Sequence, residues 1–168
     1  MQNSVIDSIQ IARDAQQRSN YNEQYSRKNN FKVHGIPEER NEDTLEVIRN
    51  MLSDTADVQI HDSDVIAIHR IPGRRGATRP ILVKVRNSDV KARIMKKRKR
   101  VRQAGQDMRL SDDVTKLNSA LIQRLIDHPG IDQAWYFNGA VYATAADSDG
   151  KKIKFDIFDD IEMKIKKK

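Results

Sequence analysis

Apolar residues recur at helical spacing at the start of the chain and then give out. Residues 3 to about 28 contain no Pro or Gly and place Val5, Ile9 and Ala12 on one stripe. Heptad spacing continues that stripe through Gln16, Ser19, Glu23 and Ser26, all polar. So poor a seam does not hold a lone helix of this length in water. Residues 1–28 therefore read as the end of a longer coiled coil with stronger heptads upstream, the alternative being a frayed arm.

From Asn30 the period shortens. Residues 31–37 alternate like a strand and stop at Gly35 and Pro37. A helix over 44–53 puts Leu45, Ile48, Met51 and Leu52 on one face. Glu38, Glu39, Glu42, Asp43 and Glu46 gather at its N-terminal end, where the helix dipole favours anions. Strands follow over 65–71 and 80–86, the second alternating Ile81, Val83 and Val85 against Leu82, Lys84 and Arg86, with a basic Gly-containing loop between them. Ser88 caps a helix that buries Val90, Ile94 and Val101, and Met108 to Ser111 supply a last strand. The order β-α-β-β-α-β over 29–111 is that of ferredoxin-like domains, among them RNA-recognition modules. If Val33, Ile81, Val83 and Val85 face the helices, the open sheet face carries Lys32, His34, Leu82, Lys84 and Arg86 and no aromatic ring.

Residues 112–168 read as a small α/β domain, so the fold class is α+β with three segments. A helix starting at Ser111 or Asp112 aligns Val114, Leu117, Leu121 and Leu125 and ends at His128-Pro129-Gly130. Residues 134–137 and 140–143 flank Asn138-Gly139, the pair that favours a type I′ hairpin turn. A two-residue loop sets Phe137 opposite Ala140 and Trp135 opposite Tyr142. Asp147 to Gly150 turn the chain into Ile153, Phe155 and Ile157, and 158–168 read as helical with a basic end. An aromatic pair in so small a domain is expected in the core; stacking on bases is the alternative for Trp135 and Tyr142.

The net charge of +7 is distributed unevenly. Residues 69–109 carry 15 basic and 2 acidic side chains, whereas 31–68 carry 3 basic and 9 acidic. Such a basic block is the footprint of a polyanion-binding face, because each Lys or Arg that meets a phosphate releases condensed counterions. The run from Lys96 to Arg100 is equally compatible with a nuclear-import tract. Arg70, Arg74, Arg75 and Arg79 favour binding: guanidiniums crowded on one loop repel each other unless they share an anion, and Arg is a bidentate phosphate ligand.

Nothing in the pattern suggests catalysis. The absence of cysteine excludes zinc fingers, iron–sulfur clusters and thiol nucleophiles, and favours an intracellular compartment, as does an N-terminus without a secretion-signal pattern. His34, His61, His69 and His128 lack metal-ligand spacing. Asp147, Asp149 and Gly150 resemble a calcium loop without its closing Glu and read as a turn. Walker and GxSxG sequences are absent, so neither metal nor cofactor is expected.

Three stretches carry a family resemblance: YSRKNNFKVHGIP over 25–37, HRIPGRRGATRPILVKV over 69–85 and RLSDD over 109–113. Following a helical arm, they resemble the first-open-reading-frame (ORF1) proteins of LINE-type retrotransposons. Ala134-Trp135, Asn138-Gly139 and the basic strand after Asp149-Gly150 are similar to the C-terminal part of the baculovirus few-polyhedra protein family. The resemblance implies a trimer-forming coiled coil, a non-standard RNA-recognition module and a C-terminal domain. Together these would coat single-stranded RNA, or single-stranded DNA, with little sequence preference and act as a nucleic-acid chaperone in a ribonucleoprotein particle of the cytoplasm or nucleus. Carried over by motif, the phosphate contacts would be Arg27, Lys28, Arg70, Arg74, Arg75, Arg79 and Arg109. The basic run of Lys96, Arg98, Lys99, Arg100 and Arg102 lies where relatives also place basic residues. The family's trimer-specifying Arg and Glu, five apart, are met by Arg18 and Glu23, but Ser19 and Asn22 stand at the apolar sites between them. Some relatives carry an esterase domain, which no part of this chain resembles.

The expectation is a non-catalytic single-strand-binding protein that oligomerises through its N-terminal helix. The competing readings are a structural or adaptor protein that binds other proteins through its helix and C-terminal domain, and a capsid-associated viral factor.

Overall fold

A computed structural model describes residues 2–167. The chain is mixed α and β, a long N-terminal helix followed by antiparallel sheets. It forms two compact units: Asn29–Asp113, and a second made of the chain up to Lys28 together with the chain from Val114 onward. The expected division at 28 and 111 therefore changes. The N-terminal helix belongs with the C-terminal segment, and the boundary after the four-stranded sheet lies two residues later.

In the unit Asn29–Asp113 the elements are β1 (Asn30–His34), α2 (Thr44–Ala56), β2 (Val65–Arg70), β3 (Ile81–Val85), α3 (Ser88–Met95), α4 (Arg98–Ala104) and β4 (Arg109–Asp112). All pairings are antiparallel in the order β2-β3-β1-β4, with Phe31 opposite Val83 and Asp112, and Val33 opposite Ile81 and Leu110. Alternation drives Phe31, Val33, Ile81, Val83 and Val85 to one face, where Ile48 and Leu52 of α2, Val90 and Ile94 of α3 and Val101 of α4 complete the core. Asp43 starts α2 by accepting from the amides of Leu45 and Glu46. Leu45 itself stays half-buried, and the helix runs on to bury Ala56.

The helix expected from Ser88 through Val101 is two. Asn87 is its cap, accepting from the Val90 amide, and the break falls at Lys96 and Lys97, inside the run of like charges where i,i+4 repulsion weakens a continuous helix. Gly35 (φ +82°) follows β1, where a Cβ would collide with the Asp107 carbonyl, so glycine lets the chain leave β1 beside the entry to β4.

In the other unit, α1 (Gln2–Ser26) joins α5 (Lys116–Asp127), β5 (Ile131–Phe137), β6 (Ala140–Ala145), β7 (Lys152–Phe155) and α6 (Ile161–Lys166), with strand order β5-β6-β7. Leu121, Leu125, Ile131, Val141, Ala143, Phe155 and Ile157 form its core. Ser111 and Asp112 pair with β1 instead of starting a helix; Thr115 caps α5 by accepting from the Asn118 amide. Leu117 is consequently 37% exposed and Asn118 is buried in its place.

That buried Asn118 explains where α1 goes. Its amide nitrogen donates to Gln24 Oε1 (2.9 Å), its Oδ1 accepts from Asn20 Nδ2 (3.0 Å), Thr115 Oγ1 donates to Asn20 Oδ1 (2.7 Å), and the Thr115 amide donates to Gln24 Oε1 (2.9 Å). The buried face of α1 is thus Asn20 and Gln24, not the heptad positions Ser19 and Glu23. Toward its N-terminus Val5 and Ile9 are 59% and 51% exposed. Among the described residues no helix is long and apolar enough to cross a membrane.

Candidate nucleic-acid interface

The loop between β2 and β3 is tied down by two arginines, Arg70 at the end of β2 and Arg79 within the loop. Every N–H of Arg70 has an acceptor: Nε donates to Glu42 Oε1 (2.6 Å), Nη2 to Glu42 Oε2 (3.0 Å) and the Pro37 carbonyl (3.2 Å), and Nη1 to the carbonyls of Ile36 (2.9 Å) and Arg79 (2.6 Å). Arg79 forks onto Glu38, with Nε 3.0 Å from Oε2 and Nη2 on Oε1. These bonds hold both carboxylates below the usual range, Glu38 through its hydrogen bond from Arg79 and Glu42 through that from Arg70. The anion that relieves the crowding is therefore the protein's own. Arg70 has no donor left for phosphate, which corrects its assignment as a contact, and Arg79 reaches one only in competition with Glu38. Glu38 and Glu42, placed by the sequence at a helix dipole, instead clamp the loop; nine acids beside a strongly basic block were the available signal.

Arg74 and Arg75 form the exposed tip, where the Ala77 amide donates to the Arg74 carbonyl (3.3 Å). Neither has a carboxylate partner among the described residues. The same holds for Lys96, Arg98, Lys99, Arg100 and Arg102, all exposed on or just before α4, and for exposed Arg109. Arg86 and Arg93, by contrast, converge on buried Asp64, and Lys91 meets Asp112 at 2.8 Å.

The sheet brings the β2–β3 tip and Arg109 to one end. β2 ends, β3 begins, β1 ends and β4 begins on the same side, so the tip loop, His34 and Arg109 share it. Three strand spacings separate β2 from β4, about 14 Å. The sheet face away from the helices presents Lys32, His34, Leu82, Lys84 and Arg109, without a Phe, Tyr or Trp. His34 Nε2 lies 2.8 Å from Ser111 Oγ. Burial, then the charges of Arg109 and Lys32, lower its pKa from 6.5 to about 4, so His34 is neutral at physiological pH and adds no charge to this face.

Arg27 and Lys28 lie at the end of α1, in the other unit. Arg27 Nη2 is 2.6 Å from Glu23 Oε1 and Lys28 Nζ lies 5.8 Å from the centroid of the Tyr25 ring.

Trp135 and Tyr142 are not core, contrary to expectation. They are directly paired across β5 and β6, ring centroids 6.3 Å apart and 26° from parallel, both half-buried and outside the apolar cluster. The turn at Asn138 (φ +48°) and Gly139 (φ +90°) sets that register: Val141 and Ala143 point inward, so Tyr142 points outward. Phe137, 60% exposed, follows on the same face. On β7, Lys154 pairs with Tyr142 and Lys152 with Thr144, which puts both lysines there too. Alternation with Ile153 and Phe155 was the sequence signal for them.

Set against protein-family models and curated proteins, the chain matches none of either.

Proposed function

We propose that this chain is a non-catalytic protein that binds single-stranded nucleic acid, RNA in the first instance, through its phosphates and with little base preference. We read it further as a retroelement ORF1-type protein that coats and chaperones RNA as an oligomer in a cytoplasmic or nuclear ribonucleoprotein particle. One observation carries the binding proposal. Glu38, Glu42, Asp64 and Asp112 pair selectively with Arg70, Arg79, Arg86, Arg93 and Lys91, while Arg74, Arg75, Arg109 and the α4 cations stay exposed and, among the described residues, have no carboxylate partner. A protein that needed its positive charge only for solubility has no reason to clamp the base of a loop and leave its tip open.

The β-α-β-β-α-β succession and the order β2-β3-β1-β4 support reading this unit as a ferredoxin-like, RNA-recognition-type module. Because its open sheet face lacks the stacking aromatics such modules use, affinity there comes from phosphate neutralisation. Exposed Val5 and Ile9 support association of α1 with further copies of the chain, a trimer being the form the family resemblance suggests.

Filter binding of single-stranded RNA over a salt series tests the proposal. Affinity should fall steeply as salt rises, with a slope of about 0.7 per phosphate contact on logarithmic axes. No binding at low salt, or binding indifferent to salt, overturns it in favour of an adaptor that binds proteins. The mass in solution by light scattering tests the oligomer.

A further inference from the structure

We infer that the outer face of the sheet β5-β6-β7 is a second single-strand site, one that grips bases where the basic block of the other unit grips phosphates. This rests on the nucleic-acid reading above and adds to it a stacking surface with its own cations.

Three observations converge. Trp135, Tyr142 and Phe137 stand on one side of the ribbon with nothing from the unit's apolar cluster over them. Two residues of strand separate Trp135 from Phe137, about 6.7 Å, so the rings follow one another along β5. Lys152 Nζ lies 4.2 Å from the centroid of Tyr142 and 5.7 Å from that of Phe137, so a cation is held against the aromatic surface. The same lysine lines a groove of about 1000 Å³ between β7 and α6, shared with Lys151, Lys154, Lys164, Lys166 and Lys167. Asp147 and Asp149 also line it, Lys164 is held by Asp159 at 2.7 Å and Lys166 lies 3.4 Å from Glu162. Lys151, Lys152 and Lys154 have no carboxylate partner among the described residues.

Large flat rings beside unpaired ammonium groups suit a ligand that alternates flat bases with phosphates. Ring-on-base contact is sequence-tolerant because every base has a π-face. An acidic peptide would satisfy the lysines but offers nothing flat to the rings.

Trp135 is the only tryptophan of the chain, so its emission reports on this face alone. The intact protein is titrated with a uridine homopolymer RNA, with heparin, a polyanion without bases, and with polyglutamate. RNA should quench Trp135 at saturation, whereas heparin and polyglutamate should leave its emission unchanged. Tyr142→Ala should weaken RNA binding by about 5- to 150-fold and Tyr142→Phe should restore it. Lys152→Gln with Lys154→Gln should lower the salt slope. RNA that binds to saturation without changing Trp135 emission overturns this inference alone, and so does equal quenching by heparin or polyglutamate. RNA that fails to bind even at low salt removes the reading it rests on as well. The fluorescence measurement needs no variant, so a substitution that fails to fold does not block it.

Discussion

Arg70 and Glu42 form a two-bond ion pair with side chains only 6% and 9% exposed, joining the end of β2 to the loop that precedes α2. Carbonyls of Ile36, Pro37 and Arg79 take the remaining donors, so the pair fixes where the β2–β3 loop begins and ends. Its function is positional: it anchors the stem from which Arg74 and Arg75 project.

Breaking that pair from one side should be costly. Arg70→Ala leaves the Glu42 carboxylate with only the Glu39 amide as a donor and takes the Arg70 donors from three carbonyls, and a loss of about 3 to 5 kcal/mol is expected in urea unfolding. Arg70→Met combined with Glu42→Leu removes both charges and should recover much of the loss, since desolvation offsets most of what a buried pair gains. A double variant as unstable as the single one would locate the effect in the carbonyls instead.

The open tip should behave differently from its anchor. Arg74→Ala with Arg75→Ala is expected to leave the melting temperature unchanged, weaken all RNA sequences about equally and reduce the salt slope by about 1.4. Loss of binding to one sequence only, measured by filter binding across several homopolymers, would contradict a phosphate contact.

His34 sets a pH dependence. Its folded pKa of about 4 lies below the ordinary 6.5, so the unfolded chain takes up the proton first. Stability should be full above pH 6.5 and decline as pH falls from 6.5 toward 4, and His34→Gln should flatten that window in denaturant titrations. The lowered pKa of Glu42 acts in the same direction but from 4.5 downward, so it adds only at the acid edge of the His34 window. RNA bound across this face would neutralise Arg109 and Lys32 and should raise the His34 pKa, read by proton NMR.

The junction of α1 and α5 is polar and should be sensitive to truncation. Gln24→Ala leaves the Thr115 amide and the Asn118 side chain short of an acceptor, a loss of about 1 to 3 kcal/mol in thermal or urea unfolding. Ser19→Ala, exposed on the neighbouring stripe, should stay within about 0.5 kcal/mol.

Periodicity and turn chemistry on their own determined most of the local structure. Alternation in 81–85 set which of those residues face the core, Asn138-Gly139 set the Trp135–Tyr142 register, and Val90, Ile94 and Val101 were identifiable as buried. These depend on neighbours a few positions away, which a linear pattern records. Tertiary structure decided what linear spacing does not encode. Ser111, Asp112 and Thr115 are all competent to cap a helix, and only pairing with β1 assigns the first two to a strand. Asn20 and Gln24 look like surface residues until Asn118 and Thr115 supply their hydrogen bonds. Arg70 and Arg74 are alike as letters; Glu42 comes within reach of the first alone because the chain folds back across 28 residues. A charge's availability depends on which opposite charge the fold brings to it, and that is a property of the whole packed unit.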